Sequence, residues 1–303
     1  MTNIIHIETI SEIHDALGLG KPKHPLVTMI PIDERIKDYD YGDATYVLGF
    51  YQVSLKSGIC GEITYGRNTY DFQEGTMVFT KPGQALSFKA SEEDQSQESG
   101  WTLLFHPDLI RKSTLGKNID QYSFFSYEIN EALHLSEDER AGITELVKKI
   151  ESEYQQNIDR HTQKLIVANI ELLLDYCTRF YDRQFYVRTN LNQDFVSRFE
   201  NLLKGYFESE QSLEFGLPSV KYCGEQLNMS PSYLSDLLKK ETGRTAQQHI
   251  QDTVIDRAKT LLLSTDEQVS QIAYGLGFEY PQHFSKLFKN RTGMSPAEYR
   301  KIN

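Results

Sequence analysis

Two short segments near the C-terminus carry side chains that could hydrogen-bond to the edges of DNA bases. Gln282 can pair with N6 and N7 of adenine, and Lys286 can donate to O6 and N7 of guanine. Asp236 could accept only from the amine of cytosine, so we expect the first segment to read sequence less strongly. The candidate base-contacting residues are Ser232, Ser235, Asp236, Gln282, His283, Ser285 and Lys286. The candidate phosphate-contacting residues are Lys239, Lys240, Tyr280, Lys289 and Arg300.

The charge distribution permits binding to DNA, which is a polyanion, although the formal net charge of the chain is -11. Residues 1–190 hold 19 Lys and Arg against 29 Asp and Glu, whereas residues 191–303 hold 13 against 14. Residues 286–303 contain five basic residues and Glu298 as the one acidic residue, a local charge of +4. The acidity is therefore N-terminal, and the C-terminal end offers a modest cationic surface for phosphates.

The C-terminal third contains an internal repeat with a shift of 50 positions. Residues 233–243, YLSDLLKKETG, recur as residues 283–293, HFSKLFKNRTG. A short amphipathic helix and a tight turn precede each copy, with small residues at Gly224 and Ala273 that allow two helices to cross closely. Ser230 and Pro231 are typical of the N-cap and first position of the helix that follows. Each copy therefore predicts a helix-turn-helix.

The segment between the copies predicts a stiff spacer. Apolar residues from Ile250 to Leu262 repeat with a helical period over roughly 18 residues, which is about 27 Å of helix. A rod of this length can hold two recognition helices about one duplex turn apart, roughly 34 Å. Both helices could then enter successive major grooves on one face of DNA.

The combination of residues in the second copy resembles the DNA-binding domain of the AraC/XylS family of bacterial regulators. The residues that carry the resemblance are Ala273-x-x-x-Gly277-Phe278, Phe284-Ser285-x-x-Phe288-Lys289 and Thr292-Gly293-x-Ser295-Pro296-x-x-Tyr299-Arg300. The resemblance covers about a hundred residues. It implies a transcription regulator that binds double-stranded DNA and acts on RNA polymerase. An activator is the role expected from the resemblance, whereas the residues themselves do not distinguish activation from repression. It also implies an N-terminal domain for effector binding or dimerisation.

The region from Tyr46 to His106 predicts short strands with turn signals about ten residues apart. The predicted strands are residues 46–55, 61–65, 69–72, 76–80, 87–90 and 101–106. Glu74-Gly75 and Pro82-Gly83 are similar to part of a cupin motif. We therefore predict an N-terminal all-β cupin-like barrel followed by helices, and a C-terminal all-α domain with two helix-turn-helix units. Aromatic residues on the strands are interpreted as core rather than as a pocket.

Two amphipathic helices follow the strands, the first starting at the cap signal formed by Ser136 and Glu139. They could either cover the sheet or form a dimerisation seam, and the sequence favours neither. Residues 186–192 are interpreted as the hinge to the next domain. The predicted domains are residues 1–140 for the cupin-like effector or dimerisation domain, 141–190 for the helical linker, and 191–303 for the DNA-binding domain.

The sequence does not predict an enzyme. The N-terminal histidines never form the His-x-His pair of metal-binding cupins, so no metal, cofactor or catalytic residue is expected. His106 is interpreted as a structural residue at the end of a strand. The predicted function is sequence-specific transcription regulation, controlled by a small-molecule effector of unknown identity. The alternatives are a constitutive DNA-binding dimer without ligand and a cupin enzyme fused to a DNA-binding domain.

Cysteine usage and hydropathy predict a cytoplasmic protein without membrane contact, and the family resemblance, which implies a dimerisation domain, favours a homodimer. Cys60, Cys177 and Cys223 form no close pair and are interpreted as buried thiols in a reducing compartment. The most apolar window, residues 165–174, is interrupted by Asn169 and Glu171. No export signal or membrane span is therefore expected.

Overall fold

The chain divides into two compact units, Met1–Val187 and Arg188–Asn303. A computed structural model describes residues 4–32, 44–57, 64–65, 68–69, 75–87, 99–127, 131–187 and 189–302. The N-terminal unit is built on β-sheets and the C-terminal unit consists of helices, so the predicted change of fold class along the chain is confirmed.

The N-terminal unit packs a three-stranded sheet against one face of a five-stranded sheet. Its described strands are β1 Ile4–Ile7, β2 Val27–Ile32, β3 Thr45–Leu48, β4 Tyr51–Ser57, β5 Thr64–Tyr65, β6 Asn68–Thr69, β7 Thr76–Thr80, β8 Ala85–Ser87, β9 Ser99–Phe105 and β10 Leu133–His134. The sheet orders are β1-β3-β8 and β10-β7-β4-β9-β2, while β5 and β6 form a hairpin. A core that includes Ile7, Ile10, Tyr46 and Leu104 joins the two larger sheets.

One prediction about these strands was wrong, and another is not shown. The segment 46–55 is not one strand, because the chain breaks at Gly49, whose N–H donates to the carbonyl of Ile7 at 2.8 Å. A Cβ at Gly49 would lie 3.0 Å from backbone atoms of Glu8, so glycine is needed where the chain passes from the three-stranded to the five-stranded sheet. The expected closed cupin-like barrel is also not observed within the described residues, whose strands form separate sheets. Parts of the predicted strands 61–65, 69–72 and 87–90 lie outside those residues.

Helices cover the second face of the five-stranded sheet. The helices of this unit are α1 Ile10–Ala16, α2 Pro107–Ile110, α3 Thr114–Asn118, α4 Glu137–Gln155 and α5 Thr162–Val187. The backbone N–H of Met29 in β2 donates to the hydroxyl of Tyr154 at 3.0 Å, and Cys177 of α5 contacts Met77 of β7. Of the two alternatives that the sequence left open, the structure therefore shows that both helices cover the sheet.

The C-terminal unit contains the repeat. Its helices are α6 Thr189–Glu208, α7 Gln211–Phe215, α8 Val220–Leu227, α9 Pro231–Thr242, α10 Ala246–Ser264, α11 Val269–Gly275, α12 Pro281–Thr292 and α13 Pro296–Tyr299. The predicted hinge at residues 186–192 is helical where it is described, and the border between the two units falls inside it. The predicted spacer is α10, with 19 residues and a length of about 28 Å.

Candidate DNA-binding surface

The first helix-turn-helix consists of α8 and α9. Asn228 ends α8 in the left-handed conformation, with a φ of 56°. Ser230 caps α9 by accepting from the N–H of Tyr233 at 3.2 Å, and Pro231 occupies the first turn, as predicted. A Cβ at Gly224 would lie 2.5 Å from the carbonyl oxygen of Met229, so only glycine allows the turn to fold back on α8.

The second helix-turn-helix consists of α11 and α12. Ala273 is fully buried where the two helices meet, as expected for a small residue at a close crossing. The turn passes through Gly277, with a φ of 93°, and α12 begins at Pro281 after the N-cap residue Tyr280. Both copies thus consist of a helix, a tight turn and a second helix that begins with proline. The helix, turn and helix were predicted for both copies, and the proline only for the first.

The side chains predicted to contact bases lie on the partly or fully exposed faces of α9 and α12. In α9 the apolar residues Leu234, Leu237 and Leu238 are buried, while Ser232, Ser235 and Asp236 are half-buried. In α12 the rings of Phe284 and Phe288 are buried. On the other side of α12 the exposed residues are Gln282, His283 and Lys286, with Ser285 half-buried. The separation into core and outer faces is therefore confirmed, and base contact remains a prediction.

The candidate phosphate ligands fall into two groups. The first group is exposed and consists of Lys239, Lys240, Lys289 and Tyr280. Tyr280 is 47% exposed, and its ring contacts the ring of His283 edge-on. Arg300 lies elsewhere, because its Nε donates to the carbonyl oxygen of Leu262 at 3.2 Å. Its Nη2 is buried without a partner among the described residues. This guanidinium therefore packs against the end of α10 rather than lying on the outer face of α12.

Helix α10 is tied to both recognition helices. His249 contacts the hydroxyl of Thr242, the last residue of α9, at 2.7 Å, and burial lowers the pKa of this histidine. Asp252 accepts from Arg244 at 2.9 Å and pairs with Arg291 of α12 at 3.3 Å. The sequence did not predict these contacts, because the two arginines are 47 positions apart and pair with an aspartate on a third element.

Residues 223–302 match a family model described as a helix-turn-helix domain. The transcriptional regulator YijO of Escherichia coli is 25% identical over 64% of this chain and 64% of its own length. The regulatory protein YesN of Bacillus subtilis is 38% identical over 29% and 25%, and the arabinose operon regulatory protein of Salmonella typhimurium is 27% identical over 48% and 48%. The C-terminal unit is therefore similar to the DNA-binding region of AraC-type transcription regulators. The matches span a quarter to two thirds of these relatives.

Outside the C-terminal unit, a polar cluster lies on the inner face of the five-stranded sheet. Ser54 contacts the hydroxyl of Thr102 across the β4–β9 pair at 3.0 Å and accepts from Gln52 Nε2 at 2.8 Å. Thr80 lies opposite Gln52 in the register of β4 and β7. Its hydroxyl is buried and has no partner among the described residues. No local pattern in the sequence marks effector-binding residues, so this inner polar cluster was not predicted.

The residues of a metal-dependent cupin enzyme do not come together in the described part of the N-terminal unit. There, no group of three or more His, Cys, Asp or Glu side chains is placed to hold a metal ion. His106 follows β9 and accepts from the N–H of Asp108 at 3.2 Å, which caps α2. This confirms the interpretation of His106 as a structural residue at the end of a strand.

Two of the three cysteines are buried thiols, as predicted. Cys177 and Cys223 are free and fully shielded from solvent, and Cys60 lies outside the described residues. Burial raises the pKa of Cys223 to about 11, so this thiol is protonated and unreactive at neutral pH. None of the helices in the described ranges has the length and hydropathy needed to cross a membrane.

Proposed function

We propose that this protein is a sequence-specific transcription regulator that reads double-stranded DNA with α9 and α12. The observation that carries the proposal is the pairing of two helix-turn-helix units on one stiff helix, within a unit of AraC/XylS type. Their outer faces carry Gln282, Lys286 and other side chains that bind base edges or phosphates. Such a regulator acts in the cytoplasm, where it meets promoter DNA and RNA polymerase.

Selection of bound duplexes from a random or genomic pool tests this proposal. We expect an enriched site with two conserved half-sites whose centres are about 10 base pairs apart, since that spacing places both on one face of the duplex. Transcription from a promoter that carries this site, with purified RNA polymerase, then separates activation from repression. A full-length protein that prefers no duplex over bulk competitor at moderate salt would contradict the proposed function.

We also propose that a small-molecule effector binds the N-terminal unit at the inner polar cluster of Gln52, Ser54, Thr80 and Thr102. These side chains are uncharged, and together they offer hydrogen bonds to a neutral polar group. Buried hydroxyls are normally paired, so an unpaired one at Thr80 supports a ligand or an ordered water at this position. A protein that binds DNA constitutively, without any effector, is the alternative.

Substitution of Thr80 by valine tests the cluster. Valine keeps the shape and removes an unpaired buried hydroxyl, so we expect it to raise the free energy of unfolding by about 1 kcal/mol without ligand. Ser54→Ala is the control, and it should lower that free energy by about 1 kcal/mol because it breaks two hydrogen bonds. Thermal melts of both variants, with and without a panel of neutral sugars and small aromatics, measure the effects.

If an effector binds the cluster, we expect one compound of the panel to raise the melting temperature of the wild-type protein and to change its DNA affinity. The same compound should not change the melting temperature of Thr80→Val. If no compound shifts the melting temperature and Thr80→Val is destabilising, the cluster is a structural network. The constitutive alternative would then be favoured.

A third part of the proposal is a homodimer formed through α5. The outer face of this helix exposes Leu165, Leu172 and Tyr176, which are spaced by seven and four residues and so lie along one stripe. Their exposed fractions are 40–43%, although the opposite face of the helix is buried in the unit. An apolar stripe of this period on a 26-residue helix favours pairing with the same helix of a second copy.

Substitution of Leu172 by glutamate should convert the dimer to a monomer, because a charge would be buried in the centre of the stripe. Leu263→Glu is the matched control, since Leu263 is 44% exposed on α10 of the other unit. Sedimentation at micromolar concentration measures the mass of each variant. A dimer that survives Leu172→Glu would place the interface elsewhere, and a monomeric wild-type protein would exclude the dimer.

A further inference from the structure

Asp252 lies on α10 between the two helix-turn-helix units and contacts both. Its Oδ2 accepts from Arg244 Nη1 at 2.9 Å, two residues after the end of α9. Its Oδ1 lies 3.3 Å from Nη1 of Arg291, in the last turn of α12. Nη2 of the same arginine donates to Oε1 of Gln251 at 2.6 Å. One carboxylate thus bridges the C-terminal ends of both recognition helices.

The two copies of the repeat differ at the positions of both arginines of this bridge. Arg244 corresponds to Met294 in the second copy, and Arg291 corresponds to Glu241 in the first. The helix-turn-helix fold itself therefore does not require either arginine, because each copy folds with a different residue at one of these positions. The bridge serves the pair of units rather than either unit alone.

The solvent exposure of these ion pairs indicates that they orient the helix ends rather than stabilise the fold. Asp252 is 28% exposed, and Arg244 is 62% exposed. Ion pairs with this degree of solvation add little to folding stability. A carboxylate shared by two guanidinium groups nevertheless fixes how both helix ends lie relative to α10.

We propose that Asp252 is a positioning residue that sets the relative orientation of α9 and α12 for simultaneous binding of two half-sites. This inference rests on the proposed DNA-binding function. When two binding modules are linked, the second binds with an effective concentration that depends on how well the linkage matches the spacing of the sites. Loss of the bridge loosens that match while each module keeps its own contacts to DNA.

The test compares Asp252→Asn with Asp256→Asn in the full-length protein. Asp256 lies one turn further along α10 and pairs with Lys259 of the same helix at 3.0 Å, so it controls for loss of a carboxylate. Binding is measured on the selected duplex, on a duplex with one half-site scrambled, and on duplexes with the half-site spacing changed by one base pair. Circular dichroism melts establish that each variant is folded.

We expect Asp252→Asn to weaken binding to the complete site about tenfold and to change binding to the single half-site less than about twofold. Its preference for the native spacing should also fall, whereas Asp256→Asn should match the wild type in all three measurements. Arg291→Gln breaks the bridge from the other side and should lower the spacing preference in the same way. The double variant should add little to either single change, because both remove one interaction.

Equal losses on the complete site and on the single half-site would overturn the proposal, and so would an unchanged spacing preference in Asp252→Asn. These results leave sequence-specific binding by the wild type intact. Failure of the proposed function is recognised separately, because the wild-type protein itself would then show no preference for the complete site.

Discussion

Replacement of Gly277 by alanine is expected to lower the free energy of unfolding of the C-terminal unit by about 3 kcal/mol or more. The new Cβ would lie 2.6 Å from the carbonyl carbon of Gly216 and 2.9 Å from the nitrogen of Leu217, with a backbone φ of +93° at position 277. The facing backbone is not free to move, because the carbonyl of Gly216 accepts from the hydroxyl of Tyr206 at 3.0 Å. Steric overlap and backbone strain therefore add.

Gly243→Ala separates these two causes. Gly243 ends α9 with a φ of +75°, and no heavy atom lies within 4 Å of the position of its Cβ. Only the left-handed strain remains there, which costs about 1 kcal/mol. Urea unfolding followed by circular dichroism measures both variants. The single tryptophan, Trp101, reports the N-terminal unit by fluorescence and should not change. Equal losses of unfolding free energy in the two variants would show that the backbone at Gly216 moves away from the new Cβ without an energetic penalty.

The parts of the C-terminal unit that could be predicted are those with local signals. Buried positions such as Leu234, Leu238 and Phe284 follow from helical periodicity, and the starts of α9 and α12 follow from proline at the first helical position. The close approach of Gly277 to Gly216 could not be predicted in this way. It joins two turns 61 positions apart, and no local pattern encodes such a contact.

The functional contacts made by charged side chains were predictable only in part. Lys286 and Lys289 could be placed on the outer face of α12, because the buried stripe of the helix leaves them no other position. Asp252 could not be assigned, since an ion pair between three elements depends on their packing. Arg300 was expected at phosphates, yet its nearest partner is the carbonyl of Leu262. The long side chain can lie along the surface in several directions, and the periodicity does not choose among them.

The N-terminal unit was predicted less well, because its strands are short and its pairings are distant. The strand Ile4–Ile7 has four residues, too few to show a period, and neither it nor α1 nor β2 was predicted. Ser54 and Thr102 form a cross-strand pair 48 positions apart, so neither signals a polar cluster by itself. Turn signals such as Pro82-Gly83 indicate where strands end, but they do not say which strands pair.

Substitution of Lys286 by alanine is expected to cost roughly 1–3 kcal/mol of binding free energy on the selected site and to relax discrimination at one base pair. The ammonium is exposed on the first half of α12, the part of a recognition helix that reaches base edges, and guanine offers it two acceptors. Binding isotherms on the matched site and on its single-base variants measure the effect. Equal losses on every sequence would contradict the role assigned to Lys286.

Lys289→Ala is the matched change one turn along the same exposed face, and a different pattern is expected for it. A lysine that contacts phosphate contributes to binding on all duplexes alike, so affinity should fall by a similar factor on matched and mismatched sites. The slope of log affinity against log salt should also become shallower by about one, because one fewer counterion is released. A loss confined to one base pair would instead assign Lys289 to base recognition, and the register of α12 in the major groove would then be shifted by about one turn from the one proposed.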